Sequence, residues 1–484
     1  MRSTSDKALR PIVGLRAGQV DLNYDDTRPL MTEATPLEVT EALLERLRGR
    51  MSLIQPAEER RAFVRDMLVR VCERLENGAP VLPTPEERER FLDGFLSYGL
   101  IEQFLADPTV EDIMINGTDP IFLHRSGQGL AKTDKRFGTM REVAAFVKKL
   151  VVFAGRSDVD PVNDVELVNI RGRVNIIHSP FGPQITITRA KSTPLTMLDL
   201  IRNGTMSAEL AAQLWLYVEG LRVRPANTII SGGPGTGKTT LLNALLSFIP
   251  PGDRTVVIED TLELNTAFME ICSRLESCRR VKTPLLVKNS LRMRPERIIV
   301  GEVRGGEAQD LMTAMSLGKY CMGTVHASST RETILRLQNE PMNVPPVLVA
   351  LVDVFVVLRK LNTEGEVSRV VQEVAETGGL EQQMVLVSPT WSYDAESRRP
   401  VATSPSSIFR DRLAAESGRT PAQIMEESLR RARLLTHLLG RPEMQRIEPL
   451  TRACQRYIES PEAALKELGL SQKDLDGGRG ARGR

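Results

Sequence analysis

The feature that most constrains the fold is the segment from Asn227 to Asn243, which has the sequence NTIISGGPGTGKTTLLN. Its first part is a short β-branched run typical of a buried strand, and its last part is apolar in a way typical of a helix. Between them, GGPGTGKT fits the pattern G-x-x-x-x-G-K-[ST] at every constrained position. A plain glycine-rich turn could also join a strand to a helix, but it would not need the terminal lysine and threonine. The segment therefore predicts a phosphate-binding P-loop.

The residues of this loop have distinct predicted roles in holding ATP and Mg²⁺. The glycines let backbone N–H groups face a phosphate chain without interference from Cβ atoms. Lys238 supplies a cation to the β- and γ-phosphates, Thr239 supplies an oxygen to Mg²⁺, and the helix N-terminus adds its positive dipole end. The predicted nucleotide-binding residues of the loop are Gly232, Gly233, Pro234, Gly235, Thr236, Gly237, Lys238, Thr239 and Thr240.

Length and composition bound the possible classes of protein. A chain of 484 residues predicts about three domains. The net charge of +2 gives no overall signal for binding a polyanion. The five cysteines are an odd number without C-x-x-C spacing, which favours reduced thiols in a cytosol over disulfides or a zinc site. The longest apolar stretch, at 347–358, is too short to cross a bilayer, so we expect no membrane-spanning segment.

Periodicity and turn residues predict the order of domains. Near-continuous apolar strands alternate with helices after Pro225, which indicates a mainly parallel sheet covered on both faces and hence the α/β class. The predicted segments are a disordered arm (1–35), a helical N-terminal domain (36–83), an α+β second N-terminal domain (84–190), a linker (191–224), the P-loop ATPase domain (225–403), a helical C-terminal region (404–470) and a disordered tail (471–484).

Carboxylates follow two of the predicted strands and are candidates for the chemistry that a P-loop alone does not perform. Hydrolysis of ATP needs a group that orients or deprotonates water, a metal partner and cations for the developing charge. Glu259 and Glu263 lie where the strand at 256–258 ends, at the sheet edge where ligands bind in open α/β folds. A solvated acidic turn is the alternative. Glu302 follows four residues of strand and a glycine, a weak Walker B pattern with glutamate in place of aspartate.

Basic residues and one histidine complete the candidate site. Arg304 and Arg294 flank the Walker B segment, and either is a candidate partner for a phosphate or a carboxylate, or an ordinary surface arginine. His326 ends another predicted strand of the same sheet and is one of four histidines. A lone histidine is more often structural, but at this position it could hydrogen-bond a γ-phosphate and report its presence.

Together these motifs resemble the secretion-superfamily ATPases of type II secretion, type IV pili and the archaellum. GGPGTGKTT is similar to the family Walker A motif, IEDTLEL to its Asp box, LRMRPERIIVGEVRGGEA to its Walker B segment and GTVHASS to its His box. The resemblance runs from about Tyr98 to Lys360. The segment RLQNEPMNVPPVLVALVDVFVVLRK and the helical C-terminus resemble the archaeal branch, which drives archaella and archaeal pili.

The resemblance implies a RecA-like ATPase that forms a homo-hexamer in the cytoplasm and docks on a polytopic membrane platform protein. From the charge balance we expect no direct contact to nucleic acid. It implies that Glu263 activates water with support from Glu259. Glu302 would position Mg²⁺, and His326 would sense the γ-phosphate. We add Arg304 to these catalytic candidates.

The resemblance also implies that arginines from the second N-terminal domain reach the nucleotide. The candidates are Arg171, Arg173 and Arg189, and Arg173 and Arg189 complete the predicted binding set. Two departures from the family pattern stand out. Glu166 occupies a position where the family often has arginine, and Gly318-Lys319 replaces a frequent Gly-His pair.

Three functions share these motifs. The leading one is a motor that hydrolyses ATP to power assembly of an archaeal pilus or archaellum, or type II/IV secretion. A second is an ATPase for conjugative DNA transfer, against which the near-neutral charge and the lack of an aromatic-basic stripe argue mildly. A third is a scaffold that binds ATP as a switch without turning it over.

Overall fold

The computed structural model describes residues 36–51, 56–75, 81–125, 129–167, 172–189, 194–277, 281–363, 366–404 and 407–476. It divides into two compact units, Met1–Ser192 and Thr193–Arg484, and each is described by itself. The predicted arm at 1–35, the last residues of the predicted tail and Arg171 lie outside the described residues.

The helix that begins at Pro85 is preceded by a capping residue in the sequence. Thr84 accepts a hydrogen bond from the backbone N–H of Glu87 (3.2 Å), and the Glu87 carboxylate accepts one from the Thr84 N–H (3.0 Å). This reciprocal pair satisfies two of the N–H groups that a helix start leaves unpaired. The helices of the N-terminal unit are α1 (Pro36–Leu47), α2 (Ala57–Leu75), α3 (Pro85–Leu96), α4 (Glu102–Ala106) and α5 (Met140–Phe153).

The strands of the N-terminal unit form one six-stranded antiparallel sheet. They are β1 (Val110–Asn116), β2 (Phe122–Arg125), β3 (Gly129–Lys132), β4 (Val162–Leu167), β5 (Gly172–Ser179) and β6 (Gly182–Arg189). Their order is β3-β2-β1-β6-β5-β4. Ile113 and Ile115 alternate with more exposed residues along β1, so one face of the sheet is buried.

One hydrophobic core joins this sheet to all the helices before it. Leu43 of α1 and Leu68 of α2 belong to the same buried cluster as Val147 of α5 and Ile113 of β1. The structure therefore corrects the prediction of a separate helical domain at 36–83. The periodicity identified amphipathic helices, but it could not show that their apolar stripes need the α+β segment to cover them.

The strands of the C-terminal unit form a nine-stranded sheet. They are β7 (Thr228–Gly232), β8 (Thr255–Glu259), β9 (Cys272–Glu276), β10 (Arg297–Val300), β11 (Tyr320–Val325), β12 (Val354–Thr363), β13 (Glu366–Glu381), β14 (Met384–Asp394) and β15 (Arg399–Ala402). Their order is β15-β14-β13-β12-β7-β11-β10-β8-β9. The pairs from β12 through β9 are parallel and the pairs from β15 through β12 are antiparallel.

Helices cover both faces of this sheet, because β7, β8 and β10 are buried along their whole length. The helices are α6 (Met197–Arg202), α7 (Ala208–Glu219), α8 (Lys238–Leu245), α9 (Thr283–Ser290), α10 (Glu307–Ser316), α11 (Thr330–Gln338), α12 (Pro346–Val349), α13 (Ile408–Ser417), α14 (Pro421–Leu439), α15 (Ile447–Glu459), α16 (Pro461–Glu467) and α17 (Gln472–Asp476). One core contains α7, α8 and α14, and the other contains α10 and α11. The predicted α/β class is confirmed.

Two predicted boundaries in this unit are wrong. The segment 191–224, predicted as a linker, contributes α6 and α7, and Trp215 of α7 is fully buried and stacked on Phe248 at 4.9 Å. The tail predicted from residue 471 begins with α17, whose Leu475 is fully buried in the same core. Turn residues around short helices marked both segments as connections, while tertiary packing made them part of the core.

A buried charge links α7 to the C-terminal helices. Arg431 of α14 lies 2.8 Å from Glu219 of α7, and both side chains are 3% exposed. The Arg431 guanidinium also lies over the ring of Trp215, 4.8 Å from its centroid. Such a pair is costly to break from one side because the remaining charge is left buried and unpaired. The C-terminal helices are thereby held to the segment that precedes the P-loop.

Candidate nucleotide-binding site

The loop between β7 and α8 has the backbone that its glycines predict. Gly235 and Gly237 have φ values of 68° and 95°, in the region that favours glycine. A Cβ atom on Gly232 would lie 2.4 Å from the Thr236 hydroxyl and 2.8 Å from the Leu358 carbonyl oxygen. Helix α8 then begins at Lys238 without a side-chain cap, so its first N–H groups and its positive dipole end are available to an anion.

The Lys238 ammonium group is buried against oxygen acceptors of its own loop. Nζ donates to the carbonyl oxygens of Gly232 (3.0 Å) and Gly233 (3.1 Å), and it lies 3.2 Å from Nδ1 of His326. An ammonium has no acceptor, so Nδ1 must accept this hydrogen bond. Burial lowers the pKa of Lys238, and the nearby Glu302 carboxylate only partly opposes that effect.

Glu302 and His326 meet because parallel strands end at one edge of the sheet. Glu302 follows β10, and His326 follows β11. The Thr324 hydroxyl donates to the Gly301 carbonyl oxygen (2.7 Å), and the Val303 N–H donates to the Thr324 carbonyl oxygen (2.8 Å). These bonds fix the turn after β10 beside the end of β11.

A chain of charged and polar groups runs from the P-loop through this edge. Nε2 of His326 lies 2.7 Å from Oε1 of Glu302. Because Nδ1 accepts from Lys238, the proton of a neutral His326 ring is on Nε2 and faces Glu302. Arg304 donates to the other Glu302 oxygen. The structure therefore brings together Lys238, His326, Glu302 and Arg304, four of the predicted site residues.

The pKa values of Glu302 and His326 reflect burial and the charges of their neighbours. Burial raises the pKa of Glu302, but Arg304, His326 and Lys238 outweigh it, and the pKa lies below its ordinary value. Burial and the Lys238 charge lower the pKa of His326 despite Glu302. At neutral pH these directions favour an ionised Glu302 beside a neutral His326.

Glu259, the last residue of β8, is buried next to the turn that carries Glu302, and one of its carboxylate oxygens has no hydrogen bond among the described residues. Its Oε1 accepts from the N–H groups of Glu263 and Leu264, both at 2.9 Å. Its Oε2 forms no hydrogen bond with the described residues and lies 3.5 Å from Nη2 of Arg274. Burial raises the pKa of Glu259 above its ordinary value, although both backbone bonds and Arg274 oppose the shift. A Cβ on Gly301 would lie 3.0 Å from Cγ of Glu259, so the glycine leaves room for this side chain.

Glu263 has an exposed side chain and is positioned through its backbone bond to Glu259. The loop that carries it is also tied to the P-loop helix, because the Asn243 side-chain oxygen accepts from the Asn265 N–H (2.7 Å). The sequence offered no signal for Asn243, which lies inside α8. The predicted roles of Glu263 and Glu259 in activating water stay predictions.

The other predicted residues of the P-loop differ in how far they are buried. Thr236 is buried and its hydroxyl donates to the Gly233 carbonyl oxygen (2.9 Å). Thr239 and Thr240 are half-buried in the first turn of α8, whereas Pro234 is exposed. Arg294, the alternative basic candidate, is exposed and has a φ of 53°.

Arg173 and Arg189 belong to the N-terminal unit, where each has local partners. Arg173 binds Asp164 through two hydrogen bonds, Nε to Oδ1 at 2.9 Å and Nη2 to Oδ2 at 2.5 Å. Arg189 donates from Nη1 to the carbonyl oxygens of Asp107 (2.5 Å) and Val110 (3.2 Å). Their roles at a nucleotide stay predictions.

The sequence analysis missed an arginine that contacts the P-loop. Nε of Arg369, on β13, donates to the carbonyl oxygen of Gly235 (2.9 Å). The hydrophobic pattern identified this region only as strands that close the sheet, and no motif marks the arginine. The pairing of β13 with β12, and of β12 with β7, places it beside the loop.

The donor set agrees with a site for phosphate and Mg²⁺. Within the described ranges, no group of three or more His, Cys, Asp or Glu side chains could hold a metal ion by itself. Mg²⁺ commonly binds through one or two protein oxygens together with substrate phosphates and water. Thr239 and Glu302 supply such oxygens, although both Glu302 oxygens already face His326 and Arg304. No described helix is long and apolar enough to cross a membrane.

These features define a P-loop nucleotide-binding protein with a RecA-like α/β core. Residues 96–384 match the family described as type II/IV secretion system protein. The match covers more than half of the chain, and the chain therefore belongs to this family of secretion-superfamily ATPases.

Related proteins differ in how much of the chain they match. An uncharacterised protein of Methanocaldococcus jannaschii is 32% identical over 379 residues, which cover 74% of this chain and 68% of the relative. The conjugal transfer protein TrbB of Rhizobium radiobacter is 34% identical over 244 residues, covering 48% and 73%. The crystal structure of the VirB11 ATPase from the Brucella suis type IV secretion system, in complex with sulphate, is 25% identical, covers 57% of this chain and 95% of its own, and has a TM-score of 0.30.

Proposed function

We propose that this protein is a Mg²⁺-dependent ATP hydrolase whose cycle powers assembly of an archaeal pilus or archaellum, or type II/IV secretion. The chain of contacts from Lys238 through His326 and Glu302 to Arg304 carries this proposal. It connects the lysine of the P-loop to a carboxylate and to a second cation at the edge of the sheet where ligands bind. These are the groups that phosphoryl transfer needs beyond a phosphate cradle.

The loop residues Gly232 to Thr240 hold the phosphates of ATP, with Lys238 as their cation. Thr239 and Glu302 hold Mg²⁺, which when bound would neutralise charge on the phosphates. Glu263 activates the attacking water, and Glu259 supports it by accepting the Glu263 N–H. Arg304 supplies positive charge at the reacting phosphate, as do Arg173 and Arg189.

His326 is the residue through which the occupied site is sensed. Phosphate oxygens compete for the Lys238 ammonium with the acceptors it now uses, one of which is Nδ1 of His326. When Nδ1 loses that donor, the position of the ring proton is no longer fixed, and its contact with Glu302 can change. The state of the nucleotide is thereby passed from β7 to the ends of β10 and β11.

The assembly that uses this cycle is a homo-hexamer in the cytoplasm, docked on a polytopic membrane platform protein. The resemblance of the motifs and of the C-terminal helices to the archaeal branch supports this choice, as does the relative in Methanocaldococcus jannaschii. The membrane attachment is peripheral and is made through the partner.

A DNA-transfer ATPase is the second candidate, and the similarity to the conjugal transfer protein TrbB favours it. The two candidates differ in their response to single-stranded DNA. A translocase binds it with an affinity that falls steeply as salt rises, because phosphate contacts release counterions. The filament motor shows no such binding, and its turnover is unchanged by added DNA.

Phosphate release by the purified full chain tests the enzyme proposal. We expect steady turnover of ATP that requires Mg²⁺ and that rises when a membrane fraction containing the platform protein is added. Glu302→Gln should raise the Mg²⁺ concentration needed for half-maximal turnover, because it removes a charged oxygen ligand. A wild-type protein that binds ATP but releases no phosphate under any of these conditions would be a nucleotide-gated scaffold instead.

A further inference from the structure

A hairpin of the C-terminal sheet extends past the strand that feeds the P-loop. In the parallel pair of β12 and β7, Leu358 is opposite Gly232, the last residue of β7. The antiparallel pairing of β12 with β13 continues beyond this point, from Leu358 opposite Val371 to Thr363 opposite Glu366. The outer part of the hairpin therefore runs alongside the loop that follows Gly232.

Two cations of this hairpin lie on the face that carries the P-loop helix. Leu358 and Val371 are buried in the same core as Leu241 of α8. Because side chains alternate along a strand, Lys360 and Arg369 continue that face, and they are directly opposite each other. Both are exposed, and Arg369 donates to the Gly235 carbonyl oxygen at 2.9 Å.

Neither cation of this pair has an ion-pair partner among the side chains that the structure describes. Like charges directly opposite each other in a hairpin lower its stability. The cross-strand arrangement is therefore unfavourable by itself and becomes favourable when an anion is shared between the two side chains.

We propose that Lys360 and Arg369 form a two-cation arm that binds the phosphate chain of the nucleotide held by the P-loop. The guanidinium already contacts the middle of the loop, and its fork of N–H donors suits phosphate oxygens. The lysine adds a point charge from the opposite strand. The inference rests on the proposed function only in that the P-loop takes a nucleotide.

Equilibrium binding of a fluorescent ATP analogue tests the arm without reference to turnover. Lys360→Gln and Arg369→Gln should each weaken binding about tenfold, the scale expected for a charged hydrogen bond. Arg359→Gln is the matched control, because Arg359 is an exposed cation of the same strand that lies on the other face of the hairpin. It should leave the affinity within twofold of the wild-type value.

Competition with inorganic tripolyphosphate distinguishes the phosphate chain from the base as the group recognised. If the arm binds phosphates, both variants lose the same factor for tripolyphosphate as for ATP, and the loss shrinks at high salt. A loss seen with ATP but not with tripolyphosphate would place Arg369 against the base and overturn the proposal. Unchanged affinity for both probes in both variants would overturn it as well.

Thermal unfolding provides an independent readout. Lys360→Gln keeps the bond between Arg369 and Gly235 and removes the like-charge pair, so the protein without nucleotide should melt at the same temperature or higher. Its stabilisation by saturating ATP should be smaller than that of the wild type, in line with its weaker binding. A wild-type protein that binds no nucleotide would refute the proposed function itself, whereas normal wild-type binding with an unaffected variant refutes only the arm.

Discussion

The two sheets of this protein place their charged side chains in different ways. In the antiparallel N-terminal sheet, charges are compensated by near neighbours, as Arg173 is by Asp164 and Arg125 by Asp107. In the C-terminal sheet, the ends of parallel strands bring together groups from distant parts of the chain, such as Lys238 and His326. In the N-terminal sheet these charges are already paired. In the C-terminal sheet they lie at the ends of parallel strands, where a ligand can bind them.

The pKa directions show the same difference. Thr109 and Arg125 donate to Asp107 and hold its pKa at about 2, as expected for a carboxylate with its partners in place. Burial raises the pKa of Glu259, whose Oε2 has no hydrogen bond among the described residues. A buried polar atom without a partner costs about 1 to 3 kcal/mol. We infer that the unsatisfied Oε2 of Glu259 lowers the stability of the C-terminal unit and leaves a hydrogen-bond acceptor available at the candidate site.

The largest effect is expected when Lys238, the cation of the P-loop, is removed. Lys238→Ala should abolish hydrolysis and weaken nucleotide binding strongly, because no other loop side chain neutralises the β- and γ-phosphates. The fold should persist, since the hydrogen bonds of Lys238 to described residues are with two loop carbonyls and His326. Binding of labelled ATP and phosphate release measure the effect, with Lys288→Ala, a change at an exposed lysine, as control. ATP binding near wild-type strength would refute the phosphate-cradle assignment.

The carboxylates of the same edge give the next largest effect. Glu263→Gln should keep ATP binding and lower turnover about 100-fold, the scale of a lost general base. Glu302→Gln should instead change the Mg²⁺ dependence. Single-turnover phosphate release at several Mg²⁺ concentrations separates the two. If Glu263→Gln hydrolyses ATP normally and Glu302→Gln is inactive, the assigned roles are exchanged.

Arginines of the N-terminal sheet are compensated locally, so their use at a nucleotide requires them to change partners. We expect Arg173→Ala to lower turnover about tenfold while changing nucleotide affinity little, as for a group that acts in the transition state. Arg125→Ala, which breaks an ion pair in the same sheet, is the matched control.

Mixing of inactive subunits then decides where Arg173 acts. Lys238→Ala chains blended with Arg173→Ala chains should regain part of the activity if the arginine reaches a neighbouring subunit. Activity per chain should also fall on dilution to concentrations at which light scattering reports monomers. Constant activity on dilution together with no recovery on mixing would exclude a shared site.

The smallest expected effect is a difference in pH dependence between Glu259 and Asp107. The pKa of Glu259 is raised in the folded state, so its favourable contribution is complete below the ordinary value of 4.5 and is lost as the pH rises through the folded pKa. Asp107 has a lowered pKa, and its contribution is lost only as the pH falls below 3.8 towards about 2.

Urea midpoints between pH 5 and pH 7 measure this difference. Through Glu259 alone, stability should decline as the pH rises across this range, and Glu259→Gln should remove that part of the pH dependence. Asp107→Asn should leave the slope unchanged, whatever it does to the midpoint. Equal slopes in the wild type and in Glu259→Gln would show that the buried carboxylate does not titrate in this window.

The sequence predicted the parts of the site that depend on local order. A strand, a glycine loop and a helix follow one another in the chain, so Lys238 and its loop could be identified without a structure. Glu302 and His326 could be placed at one edge because parallel strands share their carboxyl ends. Their direct contact depends on the order of β10 and β11, which no periodicity encodes.

Residues that act through tertiary packing could not be found this way. Arg369 reaches the P-loop through an antiparallel hairpin, and its pattern is that of an ordinary exposed strand position. Trp215 lies in a segment with turn residues at both ends, which made a linker the natural interpretation. Leu475 is an apolar residue in a short polar stretch, where periodicity has too few positions to indicate burial.

The ion pair between Arg431 and Glu219 has a practical consequence for anyone who wishes to excise the ATPase domain. A fragment limited to 225–403 would lack both partners, together with the aromatic stack of Trp215 on Phe248. A fragment that keeps α7 but ends at residue 403 would lose Arg431 and would expose to water the apolar residues of α7 that α14 now covers. The smallest autonomous piece should therefore begin before Met197 and continue through Leu475.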